Sequence, residues 1–255
     1  GQPARFGDIG IRVDKIVAVG RFEIDGQPKI IDGSNLNLVV APGFIDVHTH
    51  LDAQVFWDDT VGPSPLHGVT TALAGNCGFT IAPLSADPTD GEYLKRMLAR
   101  VEGMPLESLE VGVPWGSWTT TGEYLDAVDA RHPAINLGFM VGHSAIRRVV
   151  MGEACVEREA TPDELTRMSQ LLHDGLAAGG LGFSSSWART HNDADGHMVP
   201  SRYASRDEII ELCRVAGEYE GTSLEFIPFV GPMEQRHFEL MADMSAAANR
   251  PLNWN

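Results

Sequence analysis

The feature that most restricts the fold of this chain is an apolar segment at residues 42–50 that ends in two histidines, His48 and His50. Its aromatic and β-branched residues predict a strand packed on both faces, as in a parallel sheet. Because alternate side chains of a strand point the same way, we expect both imidazoles on one side. Histidine is the commonest protein ligand for zinc, so the pair predicts the start of a metal site. Two unrelated polar residues at a strand end are the alternative.

From Phe44 onward, apolar runs alternate with amphipathic helical stretches, which is typical of repeated βα units in an α/β protein. We predict strands at residues 69–74, 134–141, 180–185, 222–228 and from 250, with one helix that follows a cap at 161–164 and stops at the glycines 179–180, and another at 205–220. Thr161 is expected to cap the first of these helices. Residues 1–41 differ, because they contain short β-rich runs at 8–13, 15–20 and 36–40.

A cysteine follows the second strand of this series. Cys77 lies 27 positions after His50, between Gly75 and Gly78, and glycines permit a tight backbone beside a ligand. At the carboxyl end of a neighbouring strand it is placed to offer a thiolate to the same metal. A small buried core residue is the alternative, since most free cysteines are buried.

Three short motifs carry a family resemblance: PGFIDVHTH at 42–50, GNCG at 75–78 and VGH at 141–143. Together they resemble the amidohydrolase superfamily, and more narrowly its N-acyl-D-amino-acid deacylase (D-aminoacylase) branch. The resemblance implies a TIM-type (β/α) barrel whose metal site lies at the carboxyl ends of the strands. It also implies one or two zinc ions, with His48, His50 and Cys77 as ligands.

The number of strands predicts an incomplete barrel. A full (β/α)8 barrel takes about 250 residues by itself, whereas residues 42–255 supply only five or six βα units after a long excursion at 78–134. We expect residues 1–41 to form part of the small β-sandwich that flanks the barrel in this family. Bare sheet edges recruit partners, so we predict that a second chain or a continuation of this one completes the barrel.

Further candidates for substrate contact or for support of the metal ligands lie at the strand ends and in the loops that follow. They are Asp46, Asn76, His143, Arg189, His191 and Glu225. Asp46 is expected to orient the histidines rather than to bind metal. Arg189 is placed to meet a substrate carboxylate, although its loop also reads as a solvated surface loop. For His143, orientation of the substrate and a structural role are both open.

The chain departs from the pattern of the family that it resembles. That family uses histidines from the fifth and sixth strands and an aspartate from the eighth, but the corresponding stretches here read LEF at 224–226 and LNW at 252–254. The missing ligands lie beyond Asn255, or Glu225 or an asparagine replaces them, or the metal site is altered. The general-base aspartate is expected beyond Asn255.

Charge and cysteine content restrict the partners. A formal net charge of -16 disfavours nucleic acid and anionic lipid, since both attract basic surfaces. No apolar stretch approaches the length of a membrane span. Three widely separated cysteines argue against a disulfide framework and predict a reduced, cytoplasmic environment.

Three functions are consistent with these observations. The first is a zinc hydrolase that deacylates N-acyl (D-)amino acids, in which a zinc-bound hydroxide attacks the amide carbonyl. The second is another amidohydrolase, acting on a cyclic amide. The third is a non-catalytic, metal-stabilised half that assembles with the missing part of the barrel.

Overall fold

The computed structural model describes residues 3–33 and 38–254. The chain forms two compact units, Gly1–Pro42 and Gly43–Asn255. Every helix that the structure describes is too short or too polar to cross a lipid bilayer.

The first unit contains an antiparallel hairpin of β1 (Asp8–Arg12) and β2 (Lys15–Gly20), which confirms two of the three predicted strands. The prediction for 36–40 was wrong where it can be judged: residues 36 and 37 lie outside the described part, and 38–40 have no strand structure. A strand needs a hydrogen-bonded neighbour, and the side chains of Leu38, Val39 and Val40 are exposed. The assignment of this unit to a β-sandwich stays a prediction.

The second unit is built on parallel strands. They are β3 (Phe44–Asp46), β4 (Val69–Ala74), β5 (Asn136–Phe139), β6 (Val141–Gly142), β7 (Gly182–Ser186), β8 (Ser223–Ile227) and β9 (Leu252–Trp254). Their order is β3-β4-β5 and β6-β7-β8-β9, and every pair is parallel. Two hydrogen bonds connect the two groups, from Met140 N to Ala74 O (2.9 Å) and from Leu181 N to Phe139 O (2.8 Å). The strands therefore follow one another in chain order around the sheet.

Helices separate most of the strands, as the alternating pattern predicted. They are α1 (Pro88–Val101), α2 (Leu106–Gly112), α3 (Thr121–Asp129), α4 (His143–Met151), α5 (Pro162–Ala177), α6 (Arg206–Gly217) and α7 (Gln235–Ala248). The Thr161 cap of α5 is confirmed, because its hydroxyl accepts from Glu164 N while the Glu164 carboxylate accepts from Thr161 N. Both α5 and α6 bury their apolar faces against the sheet.

Two strand predictions need correction. The run at 134–141 is interrupted at Met140, so that β5 and β6 pair with different neighbours. The first strand ends at Asp46, and its Phe44 and Ile45 side chains are 67% and 63% exposed instead of buried on both faces. The reason is that β3 is an edge strand: among the described residues it pairs only with β4.

Candidate metal centre

Three predicted ligands meet beyond the carboxyl ends of β3 and β4. The Cys77 Sγ lies 3.3 Å from His48 Nε2 and 3.7 Å from His50 Nε2. One donor atom from each residue lies within 4.8 Å of the other two. Cys77 is buried, and about a fifth of each histidine side chain is exposed. The arrangement gathers two imidazoles and a sulfur around one point that solvent reaches from one side.

The histidines follow β3 instead of belonging to it, and hydrogen bonds to β4 hold their segment. The Thr49 N–H and hydroxyl both donate to Leu73 O, at 3.0 and 2.8 Å. The Asn76 amide donates to Thr49 O (3.1 Å) and to Leu73 O (2.9 Å). With Thr49 held against β4, its two neighbours turn to the opposite side, where Cys77 lies.

The Cys77 turn has a backbone that few side chains tolerate. Cys77 has φ 58°, and Gly75 and Gly78 have φ 77° and 75°. A Cβ on Gly75 would lie 2.7 Å from Met140 O, so glycine is required there. A non-glycine residue with positive φ is sparsely populated and persists where surrounding contacts hold it. Here the Cys77 N–H donates to Glu225 (2.7 Å) and the Gly78 N–H donates to Ser184 (3.0 Å).

Glu225 also faces the histidine pair. Its Oε1 lies 3.7 Å from His48 Nδ1, while its Oε2 accepts from the Cys77 N–H. The side chain is 2% exposed, and both Oε1 and His48 Nδ1 are buried without a hydrogen-bond partner among the described residues. The Glu225 carboxylate on β8 therefore lies beside the candidate ligands.

Two further carboxyl groups lie near the histidines and were not predicted. Glu102 follows α1, and its Oε1 lies 3.5 Å from His50 Nε2. Asp52 is buried, with Oδ2 accepting from Gly75 N (3.0 Å) and Oδ1 unpartnered in the described structure. The alternation of His48, His50 and Asp52 was a signal that the sequence offered. No local sequence pattern predicted Glu102, because it lies in the long segment 78–134 and approaches His50 only in the folded chain.

Burial dominates the electrostatics of this cluster. It lowers the pKa of His50 to about 3, helped by the nearby His48 and His191, and it also lowers the pKa of His48. Burial raises the pKa of Asp52 and of Glu102 to about 7. Neutral imidazoles keep the lone pairs that a cation needs.

Burial acts on the other two groups in the same direction. It raises the pKa of Glu225 to about 8 and raises that of the Cys77 thiol, to which the neighbouring carboxylates add. A bound cation would reverse this penalty, because it favours the thiolate and the carboxylate. The donor set of two imidazoles and a thiol, with unpartnered polar atoms buried around it, fits a zinc ion.

Comparison with known proteins identifies the family. The model of the amidohydrolase family matches residues 36–255. This chain belongs to the amidohydrolase family. It is 34% identical to the D-aminoacylase of Alcaligenes xylosoxydans xylosoxydans over 220 residues, which cover 86% of this chain and 40% of that protein. It therefore spans well under half the length of that relative.

Solved amidohydrolase structures give the same result. A D-aminoacylase structure that concerns a binuclear metal centre matches with a TM-score of 0.67 and 31% identity, over 98% of this chain and 47% of that one. The N-acyl-D-glutamate deacylase of Bordetella bronchiseptica, in complex with zinc and a phosphonate inhibitor, matches with a TM-score of 0.63 and 25% identity, over 99% and 54%. The recognised family and its deacylase branch are thus confirmed, as is the amidohydrolase type of fold.

Within this amidohydrolase, Asp46 and Asn76 support the backbone. Asp46 accepts from the His48 N–H at 3.3 Å, so it touches the main chain and not the imidazole that it was expected to orient. The Asn76 amide nitrogen donates to the backbone oxygens of Thr49 and Leu73. Both residues act on the segment that carries the histidines.

His143 lies in a buried hydrogen-bonded network and not in the cluster of candidate ligands. It is fully buried, with Nδ1 2.8 Å from the Ser185 hydroxyl and Nε2 2.8 Å from Glu208 Oε1. Burial lowers its pKa, so the neutral ring donates to the Glu208 carboxylate and accepts from Ser185. With both nitrogens engaged, His143 has the structural role that was the alternative.

His191 and Arg189 lie on the loop after β7 but differ in position. His191 Nδ1 is 2.8 Å from the Ser186 hydroxyl, and its ring packs 5.0 Å from that of Phe79, which also contacts His50. Burial, with the charges of Arg202 and His48, lowers its pKa to about 4. Arg189 is exposed and lines a separate groove with Phe229 and others. A contact of Arg189 with substrate stays a prediction.

Strands β8 and β9, at which the family resemblance predicts histidine ligands, carry no histidine here. Glu225 on β8 pairs in register with Asn253 on β9. Of these two, Glu225 reaches the cluster, but its oxygens lie outside the set of donor atoms that are mutually within 4.8 Å.

Proposed function

We propose that this chain carries the zinc centre of a hydrolase that removes the acyl group from N-acyl amino acids. His48, His50 and Cys77 are the ligands in this proposal. The observation that carries it is the meeting of their donor atoms, with Cys77 Sγ 3.3 and 3.7 Å from the two Nε2 atoms, beside buried polar atoms without partners. The similarity to D-aminoacylase and to an N-acyl-D-glutamate deacylase supports the substrate class and the D configuration.

Zinc in such a site supplies a Lewis acid that polarises a carbonyl oxygen and lowers the pKa of a water molecule. The chain's own residues prepare the surroundings. Phe79 packs against His50 and His191 and excludes water from one side of the cluster. Glu102 and Asp52, whose pKa values burial raises to about 7, can hold or release a proton near neutral pH. The general-base aspartate that the family resemblance implies stays a prediction.

We also propose that strands from a second chain or from a continuation complete the barrel around this centre. Two observations support this. The β3 edge exposes Phe44 and Ile45, and this chain spans about half the length of the similar deacylase structures. An open parallel edge of this kind is stabilised by pairing with a further strand.

The test combines metal content with hydrolysis. We expect the purified protein to hold zinc, and N-acetyl-D-amino acids to be hydrolysed faster than the L isomers and faster than cyclic amides. A chelator should remove both metal and activity, and zinc should restore them. The double substitution His48→Ala/Cys77→Ala should abolish zinc content; full zinc content and activity in that variant would refute the proposal. Zinc binding without hydrolysis of any substrate would favour the non-catalytic half.

A further inference from the structure

Glu225 is the one carboxylate that touches both ends of the candidate centre. Its Oε2 accepts from the Cys77 N–H at 2.7 Å, and its Oε1 faces His48 Nδ1 at 3.7 Å. Cys77 and His48 follow different strands, and among the described carboxylates Glu225 contacts both the Cys77 turn and the His48 ring. Glu225 thus bridges two of the three proposed ligands.

We propose that Glu225 is a positioning residue that holds His48 and Cys77 in the geometry for binding zinc, and that it is not a zinc ligand. This inference rests on the proposed zinc centre. Its geometric basis is that the Glu225 oxygens approach the far side of the His48 ring and the backbone of Cys77, while the three donor atoms of the ligands meet elsewhere.

The chemistry of imidazole explains the contact with His48. A neutral histidine that offers Nε2 to a cation carries its proton on Nδ1, so the atom opposite Nδ1 has to be a hydrogen-bond acceptor. The Glu225 Oε1 is such an acceptor, and it has no other partner among the described residues. The His48 Nδ1 likewise has none. The two unpartnered atoms therefore satisfy each other once Nε2 is engaged.

The contact with Cys77 acts on the backbone. Cys77 has φ 58°, a conformation that its neighbours must enforce. The Glu225 carboxylate takes up the Cys77 N–H, and the Ser184 hydroxyl takes up the next one, from Gly78. Both side chains come from adjacent, buried positions of β7 and β8 that pair in register. A ligand turn anchored to two central strands is pre-organised before the metal arrives.

The chain offers a matched control in Asp52. Like Glu225, Asp52 is buried, accepts one backbone N–H (from Gly75, 3.0 Å) and leaves its second oxygen unpartnered in the described part of the chain. Unlike Glu225, whose Oε1 faces His48 Nδ1, the Asp52 carboxylate contacts only the backbone among the described hydrogen bonds. Asp52→Asn and Glu225→Gln remove the same charge from equally buried carboxyls, and they differ in the contact with His48.

The substitution Glu225→Gln is selective because the Cys77 N–H requires an acceptor. The glutamine oxygen has to stay with that N–H, which turns the amide NH2 toward His48 Nδ1. A donor at that place favours a proton on Nε2, the nitrogen that zinc needs. We therefore expect zinc affinity to fall by about 10- to 100-fold, as is typical when the partner of a ligand is changed.

The experiment measures zinc affinity by competition with a chelator for wild type, Glu225→Gln and Asp52→Asn. The hydrogen-bonded Nδ1 proton of His48 is observed by NMR in the zinc-loaded proteins. We expect a downfield Nδ1 proton in wild type and Asp52→Asn, and its loss in Glu225→Gln. The thiolate-to-cobalt absorption band of Co²⁺-loaded Glu225→Gln should persist, since Cys77 still binds. Circular dichroism and thermal unfolding confirm that each variant is folded.

The outcomes separate this inference from the proposed function. Wild-type protein that binds no zinc overturns both. Wild-type zinc binding that Glu225→Gln leaves unchanged, or that Asp52→Asn weakens as much, overturns the positioning role alone. Glu225→Ala is measured as a further variant. If it loses much more zinc affinity than Glu225→Gln, and Glu225→Gln keeps the Nδ1 proton of His48, Glu225 is a direct zinc ligand and the positioning role is overturned.

Discussion

Two clusters that contain histidine follow strands β3 and β6 of this chain, and they differ in how their polar atoms are used. In the first, His48 and His50 follow β3, and their Nδ1 atoms are buried without partners. In the second, which we call the buried network (His143, Ser185, Glu208 and Arg147), both ring nitrogens of His143 and both oxygens of Glu208 have partners. The comparison teaches that a position at a strand end does not by itself make a histidine a candidate ligand. A histidine is a candidate when its polar atoms lack hydrogen-bond partners within the protein.

The buried network is also the more strongly charged of the two. Arg147 Nη1 lies 2.5 and 2.6 Å from the two Glu208 oxygens, and neither side chain is more than 2% exposed. Burial alone would raise the pKa of Glu208, but the hydrogen bond from His143 and the charge and hydrogen bonds of Arg147 lower it to about 2. In the metal cluster, burial is the dominant effect and raises the pKa of Asp52, Glu102 and Glu225. One cluster contains its own counter-charge, whereas in the other we propose that a bound cation supplies it.

Removal of a candidate ligand should have the largest effect on zinc affinity. Cys77→Ala takes away one of three donors, and we expect zinc affinity to fall by roughly 1,000-fold or more, given that structural zinc sites bind with about 10–16 kcal/mol. Zinc content after dialysis against a weak chelator measures it. Cys155→Ala and Cys213→Ala are matched controls, since both cysteines are buried but lie outside the cluster. Equal zinc loss in a control would argue against Cys77 as the ligand.

Disrupting the buried network should act on stability instead of zinc. Glu208→Gln leaves the buried Arg147 without its counter-charge, so the free energy of unfolding should fall by about 3–5 kcal/mol. Urea unfolding measures this, and zinc bound per folded molecule should not change. Glu211→Gln on the same helix, which breaks only the exposed pair with Arg214, should have a much smaller effect. A large zinc deficit in folded Glu208→Gln would show that the two clusters are coupled.

Acid should distinguish the two clusters further. The pKa of Glu208 is lower in the folded chain, about 2, than its ordinary value of 4.5. The carboxylate therefore stabilises the fold fully above about pH 4.5, and this contribution of about 3 kcal/mol is lost as the pH falls toward 2. Urea midpoints of wild type and Glu208→Gln should converge over that interval. Curves that stay parallel down to pH 2 would contradict the assignment.

The smallest effect is expected at His191. Its Nδ1 is engaged by Ser186, and its ring touches Phe79 instead of a ligand atom. Because it reaches the cluster only through packing, His191→Ala should lower zinc affinity by less than roughly tenfold, below the range for direct partners of ligands. Competition titration beside Glu225→Gln provides the comparison. A greater loss than in Glu225→Gln would place His191 closer to the metal than the structure does.

The candidate ligands could be predicted because their signals are local. His48 and His50 close an apolar segment, and Cys77 follows the next strand between two glycines, both of which have positive φ. The predicted cap at Thr161 was likewise local and is confirmed. Glu102 could not be predicted, since it reaches His50 only through the folding of α1 against the sheet. The role of His143 could not be read either, because Glu208 and Ser185 contact it from distant segments.

The sequence by itself determined the βα order, the two imidazoles and the thiol, because hydrophobic periodicity and residue spacing are properties of neighbouring residues. The tertiary structure decided which polar atoms found partners. Satisfaction of buried hydrogen bonds depends on side chains that arrive from remote elements, as Glu225 does at Cys77 and Glu208 does at His143. For that reason the same residue type became a candidate metal ligand after β3 and a structural residue after β6.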